Sequence, residues 1–194
     1  MIRMALAPAI SHPLRFGAVE LSSPVLVAPM VGITDAPCRE LTREFGAGLV
    51  STEMVAAEAV VRSTDAALKL LDFPADVTPV AAQLVGCDPA VMAEAAQACV
   101  ARGAVVVDVN LGCPVSRVVS RGGGAALARD VAATANVLGA MVKAVPVPVT
   151  AKMRLGWDHH SVNAPEVARA LRQISFTVWP MLESRPPQLF VLVE

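Results

Sequence analysis

A single cysteine follows an apolar run, at a position that favours display of its side chain. Residues 104–110 read AVVVDVN and the next residues read LGCPVSRVVSRGGGAAL, which puts Cys113 between Gly112 and Pro114. A thiol displayed in this way can act as a general acid, because cysteine thiols are mostly protonated at neutral pH. The alternative is a plain buried thiol, which is the commoner fate of cysteine.

Polar side chains also stand at the ends of other apolar runs. Asp108 and Asn110 are two residues apart and therefore share one face of a strand, as do Lys152 and Arg154. Gln83 lies near the end of a third run. Burying an amide, an ammonium and a carboxylate without partners is costly. We therefore expect these side chains to pair with each other or to meet a ligand.

Several of these residues also have a purely structural interpretation. Asp108, and Glu53 at the end of another apolar run, could each anchor loop amides or a neighbouring cation, and Gln83 alone is unremarkable. Lys152 is harder to explain in this way, since a buried ammonium needs an anion or an electron-rich ligand. The glycines at 122–124 fit either a phosphate cradle or a flexible turn.

The elements that would position these residues alternate between strand and helix. Apolar runs bounded by proline or glycine predict strands at residues 25–30, 48–54, 77–86, 104–110 and 147–156. Helices are predicted between and after them, at about residues 35–46, 56–71, 88–102, 124–144 and 163–171. Such alternation is typical of a parallel sheet, open or closed into a (β/α)8 barrel. In either form the ligand lies at the carboxyl ends of the strands.

Composition excludes several classes of protein. The 194 residues are 55% hydrophobic and 17% charged, with a net charge of −1, and no apolar run is long enough for a membrane span. The N-terminus lacks the apolar region of a secretory signal. Four cysteines without paired spacing predict reduced thiols in a cytoplasmic protein and no zinc site, with Cys38, Cys87 and Cys99 in packing roles.

Four segments together resemble the tRNA-dihydrouridine synthases. They are APMVGITDAPCRELTREFGAGLVSTEMV at 28–55, AAQLVGCDP at 81–89, DVNLGCPVSRVVSRGGGAAL at 108–127 and VTAKMRLGW at 149–157. The resemblance implies an FMN-dependent TIM barrel that reduces particular uridines of tRNA, with NADPH as the source of electrons. It also implies a monomer with no metal and no membrane partner.

The resemblance implies a role for each matching residue. Cys113 would be the general acid, and Asn110 and Arg117 would hold the substrate base. The flavin would be bound by Pro29, Met30 and Val31, by Gln83 as a hydrogen-bond partner, and by Lys152 as the neighbouring cation.

The resemblance runs from about residue 16 to residue 171, and residues 172–194 are expected to be a divergent tail. The expectation is therefore an α/β partial (β/α)8 barrel of about five βα units, without the C-terminal strands and the helical domain. A truncated or frame-shifted product would explain this pattern. Such a chain is expected to expose strand edges, dissolve poorly, bind FMN weakly and have little activity.

Other functions fit part of the pattern. Another FMN barrel that acts on a small pyrimidine would also present an acid and a lysine beside the flavin. A Schiff-base lyase would use Lys152 as its nucleophile. A non-catalytic fragment would bind no flavin.

Overall fold

A curled, mostly parallel sheet forms the centre of the fold. The structure is a computed structural model that describes residues 14–74, 77–172, 176–179 and 188–193. Its strands are β1 (Arg15–Phe16), β2 (Val19–Glu20), β3 (Val50–Ser51), β4 (Val55–Ala56), β5 (Val80–Val85), β6 (Val106–Leu111), β7 (Val149–Arg154), β8 (Phe176–Trp179) and β9 (Gln188–Val193). Its helices are α1 (Ala36–Glu44), α2 (Ala57–Val61), α3 (Asp65–Leu70), α4 (Pro89–Ala101), α5 (Ser116–Val119), α6 (Val131–Ala144) and α7 (Ala164–Arg172), and a 3-10 helix spans Gly124–Arg129.

Hydrogen bonding orders the main sheet as β3-β5-β6-β7-β9-β8, and β4 also pairs with β5. The pairs among β3 to β7 are parallel, as the alternation of strand and helix predicts. The register places Asp108 between Gln83 and Thr150. It also places Asn110 beside Lys152. Because paired residues of parallel strands point to the same face, these side chains form two adjacent rows.

Three of the five predicted strands are confirmed, as β5, β6 and β7. The strand predicted at residues 25–30 is wrong, because only a bridge between Leu26 and Leu49 forms there. The Val27 N–H donates to the Leu49 carbonyl, so the next donor position is residue 29, which is proline and has no N–H. A regular ladder therefore cannot continue past the bridge in that direction.

The strand predicted at residues 48–54 is split by an extra residue. Between the paired residues Ser51 and Val55, three residues oppose only two of β5. The Thr52 hydroxyl takes the place of a ladder partner by accepting a hydrogen bond from the Gln83 N–H at 3.0 Å. This bulge lies at the carboxyl end of the sheet, where bulges commonly redirect side chains toward a site.

Aspartates begin three of the helices. Asp35, Asp88 and Asp130 accept backbone N–H bonds as the N-caps of α1, α4 and α6. The helix predicted over residues 56–71 is two helices, α2 and α3, because the chain turns at Ser63 with φ of 51°. The helix predicted from residue 124 starts as the 3-10 helix, and α6 begins only after its own cap.

Alternate residues give the sheet two different faces. The residues of β6 that join one apolar cluster with α4 and α6 are Val107, Val109 and Leu111. On the opposite face, Val106 packs with Ala81 and with the β1–β2 hairpin. Asp108 and Asn110 follow Val106 on that same face, toward the carboxyl end of β6. This face of the sheet is therefore apolar around Val106 and polar at the carboxyl ends of the strands. We call the polar part, formed by Gln83, Asp108, Asn110, Thr150 and Lys152, the polar rim.

The outer edge of β7 is covered, contrary to the expectation of an open edge. β9 pairs with β7 in antiparallel fashion over five residue pairs, and β8 pairs with β9. Antiparallel neighbours satisfy the same backbone N–H and C=O groups that a following parallel strand would use. Within the described residues, none of the helices combines the length and the apolarity that a membrane crossing requires.

Candidate active site

A buried carboxylate lies at the centre of the polar rim. The Asp108 side chain is 4% exposed, and its two oxygens accept hydrogen bonds from Gln83 Nε2 and Thr150 Oγ1, each at 2.5 Å. Burial raises the pKa of Asp108 to about 6, while these two hydrogen bonds and the charge of Lys152 act in the opposite direction. Asp108 therefore anchors two side chains of the neighbouring strands, and not the loop amides that its structural interpretation suggested.

The raised pKa of Asp108 predicts a pH-dependent stability. The folded state holds the proton more tightly than the unfolded chain, so this contribution to the free energy of unfolding falls as pH rises from about 4 to about 6. Acidification from pH 7 to pH 5 is therefore expected to gain about 1 kcal/mol from this group. Urea denaturation of the wild type and Asp108→Asn at both pH values isolates it. An equal pH dependence in the two proteins would contradict the assignment.

The Gln83 amide connects this carboxylate to the second row. Asn110 Nδ2 donates to Gln83 Oε1 at 2.9 Å. Asn110 Oδ1 in turn accepts from the backbone N–H groups of Gly112 and Cys113, at 3.1 and 2.8 Å. One continuous chain of hydrogen bonds thus runs from Asp108 to the backbone of Cys113. The structure brings together these residues of two separate sequence segments, as the strand pattern predicts.

The backbone around Cys113 is held from three sides. Arg154 Nε donates to the Gly112 carbonyl at 2.8 Å, and the Ala125 N–H donates to the Cys113 carbonyl at 3.0 Å. Together with the two bonds to Asn110, these bonds satisfy the N–H and the carbonyl of both Gly112 and Cys113. The Cys113 thiol is not needed for any of them, and its side chain is only half-buried.

Gly124 allows the chain to pass directly over this turn. Its φ is +59°, and a Cβ built there would lie 2.6 Å from the Cys113 carbonyl oxygen. Both observations require glycine at this position. The glycine run therefore has a structural explanation in the approach of two backbone segments.

Gly124→Ala is expected to destabilise the protein by about 2–4 kcal/mol, since it adds left-handed backbone strain and a clash with the Cys113 turn. Urea denaturation measures the loss. Gly103→Ala is the matched control, because Gly103 has φ of +104° and open space around its Cβ position. Equal losses in the two variants would show that the clash contributes nothing.

Lys152 belongs to the same rim. It lies beside Asn110 in the register of β6 and β7, its side chain is half-buried, and its charge acts on Asp108. Lys152 is therefore next to the hydrogen-bonded chain in the strand register, close enough for its charge to act on Asp108.

The loop after the first predicted strand lies on an edge of this region. Met30 and Val31 are 40% and 66% exposed, and Pro29 is half-buried. Glu53, in the bulge, accepts a hydrogen bond from the Gly32 N–H at 2.6 Å, which ties this loop to the sheet. The anchor interpretation of Glu53 therefore fits its observed partner.

Arg117 is separated from the hydrogen-bonded chain. It lies on α5, four residues after Cys113, with an exposed side chain. Cys99 is fully buried in α4, whereas Cys87 follows β5 directly and its thiol donates to the Arg121 carbonyl. Cys87 therefore lies near a strand end, and it also packs against the main apolar cluster, as its predicted packing role requires.

The contacts of two arginines could not be read from the sequence. The sequence predicts Arg154 on the same strand face as Lys152, but its bond to the Gly112 carbonyl depends on the distance between β6 and β7. Arg39 looks like an ordinary helical charge, yet it is 1% exposed and donates to the carbonyls of Thr34 and Asp72 at 2.8 and 2.9 Å.

Parallel strands with interlinked polar side chains at their carboxyl ends define an α/β protein of the barrel type, with its site where such enzymes place theirs. The family model described as "Dihydrouridine synthase (Dus)" matches residues 26–177. The chain belongs to the dihydrouridine synthase family.

Individual relatives agree with this assignment. A "Probable tRNA-dihydrouridine synthase" of Rickettsia bellii is 45% identical over 157 residues, which are 80% of this chain and 48% of the relative. The "tRNA-dihydrouridine synthase B" of Pseudomonas aeruginosa is 43% identical over 160 residues, or 82% of this chain and 48% of that protein. A Rhizobium leguminosarum relative is 48% identical over 145 residues, or 75% of this chain and 45% of that protein. The chain spans about half the length of these curated relatives.

Proposed function

We propose that this chain carries the catalytic half of a tRNA-dihydrouridine synthase, which reduces the C5–C6 bond of particular uridines in tRNA. The observation that carries the proposal is the unbroken chain of hydrogen bonds from Asp108 through Gln83 and Asn110 to the backbone of Cys113. This chain lies beside Lys152 at the carboxyl ends of the strands. The proposed cofactors are FMN and NADPH, and the proposed compartment is the cytoplasm.

Cys113 is the proposed general acid. Reduction of the C5–C6 bond adds a hydride to C6 and a proton to C5, and the thiol supplies that proton and becomes a thiolate. The thiolate recovers a proton from water before the next turnover. Because the backbone of Cys113 is fixed by Asn110 and Ala125, its side chain can be aimed at one atom of the base.

The residues on the rim fit the ring of a flavin. Gln83 Nε2 carries a second hydrogen beyond the one given to Asp108, and Lys152 adds an ammonium, so the set can donate to the carbonyl side of the ring. The exposed side chains of Met30 and Val31, together with Pro29, offer an apolar surface beside it. FMN reduced by NADPH would supply the hydride when bound.

Asn110 and Arg117 are the proposed contacts to the substrate. Asn110 Nδ2 has a second hydrogen that is available to a carbonyl of the base, after the one given to Gln83. The target uridine must leave the stacked RNA to reach Cys113. Arg117, Arg121 and Arg129 are exposed in the segments that follow β6, where phosphate contacts would hold the RNA during that step.

The direct test combines the purified full chain with FMN, NADPH and unmodified tRNA. Nucleoside mass spectrometry after digestion is expected to find a small yield of dihydrouridine, and titration of the chain into FMN is expected to quench the flavin fluorescence weakly, as expected for a partial barrel. A folded chain, verified by circular dichroism, that neither binds FMN nor forms dihydrouridine would overturn the proposal for this protein.

Two related assays distinguish the proposed function from the other enzyme classes that fit part of the pattern. Oxidation of NADPH with free uracil or orotate-type substrates, but not with tRNA, would identify an oxidoreductase of small pyrimidines. Trapping of a carbonyl substrate on Lys152 by borohydride would identify a Schiff-base lyase.

A further inference from the structure

The order of donors and acceptors in the hydrogen-bonded chain is fixed by two backbone N–H groups at one end of it. The N–H groups of Gly112 and Cys113 can only donate, and both point at one atom of the Asn110 side chain, at 3.1 and 2.8 Å. That atom must be the carbonyl oxygen of the amide. The Asn110 NH2 group must therefore face the other way, toward Gln83.

The same reasoning continues through Gln83. Since Asn110 presents its NH2 group at 2.9 Å, Gln83 must present its carbonyl oxygen to it. The Gln83 NH2 group then faces residue 108, at 2.5 Å from a carboxylate oxygen. The order of donors and acceptors thus requires an acceptor at position 108. No choice of amide orientation enters this argument, because the backbone donors cannot be reversed.

We propose that Asp108 is a positioning residue, whose carboxylate fixes the orientation of the Gln83 and Asn110 amides and thereby holds the backbone of Cys113. Asp108 does not touch the substrate in this assignment and acts only through its neighbours. The positioning depends on hydrogen bonds alone, whereas its consequence for catalysis rests on the proposed function.

The second oxygen of Asp108 explains how the anchor itself is held. It accepts from the Thr150 hydroxyl at 2.5 Å, so the carboxylate is fixed between β5 and β7. The residue is buried, which leaves the Gln83 NH2 group no water to replace a lost acceptor. A side chain without an acceptor at position 108 would therefore free Gln83 to rotate, and Asn110 would lose its fixed partner.

The alternative is that Asp108 merely joins neighbouring strands. Asp108→Leu and Asp108→Asn separate the two roles. Asn retains a carbonyl for Gln83 and can donate its NH2 group to the Thr150 hydroxyl oxygen, whereas Leu has a similar volume and offers no acceptor. If Asp108 only joined the strands, its loss would loosen the backbone amides of β6 as much as those of Gly112 and Cys113.

Amide hydrogen exchange of the full chain, followed by NMR residue by residue, tests the proposal. In Asp108→Leu the amides of Gly112 and Cys113 are expected to exchange about tenfold faster, while those of Val105 and Val107, which donate to the carbonyls of Val80 and Pro148, keep their protection. Asp108→Asn is expected to stay within about twofold of the wild type at these amides. Thr42→Val, which removes a threonine hydrogen bond within α1 and outside this chain of hydrogen bonds, serves as the control and is expected to leave both amides unchanged.

Three results would overturn the proposal. They are unchanged exchange at Gly112 and Cys113 in Asp108→Leu, a loss spread evenly over β6, or equal effects of Asp108→Leu and Asp108→Asn. If Asp108→Leu does not fold, Gln83→Met interrupts the same chain one step later and is expected to release the same two amides. Because exchange is measured without flavin or tRNA, its outcome is independent of whether the chain reduces uridine.

Discussion

Cys113→Ala is expected to lower the rate of the proposed uridine reduction by about 10²–10⁴-fold, because it removes the thiol proposed to protonate C5. The backbone of the turn is held through the N–H and carbonyl of residue 113, so alanine keeps every bond that positions it. The loss is therefore expected in the chemical step and not in folding. Single-turnover oxidation of pre-reduced enzyme by tRNA measures that step directly.

Two controls define the interpretation of this result. Reduction of the flavin by NADPH is expected to proceed at the wild-type rate in Cys113→Ala, because the thiol takes no part in it. Cys87→Ala removes another half-buried thiol and is expected to leave tRNA reduction unchanged. If Cys113→Ala oxidised with tRNA as fast as the wild type, another residue would have to be the acid.

The strands of the site were predictable from sequence because a period of two and continuous apolar runs are local properties. The polar residue of each run lies near its carboxyl end, so a parallel arrangement of the strands brings Gln83, Asn110 and Lys152 to the same edge of the sheet. The short strands were less predictable. Pro29 and the bulge after Ser51 change the pairing without changing the apolar pattern.

Interactions between distant side chains were beyond the sequence. The sequence suggested that Asp108 anchors loop amides or a neighbouring cation, whereas its hydrogen bonds go to the Gln83 and Thr150 side chains of the two neighbouring strands. The same holds for the antiparallel pairing of β9 with β7. Apolar residues near the end of the chain are compatible with a strand of either direction, and the direction depends on where the connecting segment leads.

Arg39 shows most clearly what the sequence could not predict. It lies in α1 among other charged residues, and nothing in its spacing distinguishes it from the exposed Glu40. In the structure it is 1% exposed and links the Thr34 carbonyl to that of Asp72. It therefore fixes the loop at residues 30–34, which carries the proposed flavin contacts, against the end of α3.

The burial of the Arg39 guanidinium costs desolvation free energy, which its partners must offset. Desolvation lowers its pKa from the usual value, and the nearby charges of Asp35, Glu53 and Asp72 act in the opposite direction. Among the described residues, its Nε is one of two buried side-chain polar atoms without a hydrogen-bond partner. Removal of the side chain leaves two carbonyls without this donor and creates a large cavity.

Arg39→Ala is therefore expected to lower the free energy of unfolding by about 3–5 kcal/mol, a large fraction of the stability of a domain of this size. Arg39→Met keeps most of the volume and removes the cost of burying a charge, so its expected loss is smaller by about 1–2 kcal/mol. Arg62→Ala removes an exposed arginine and is expected to change stability by less than about 0.5 kcal/mol. Urea denaturation ranks the three variants, and an Arg39→Ala protein as stable as Arg62→Ala would mean that Arg39 does not hold the loop.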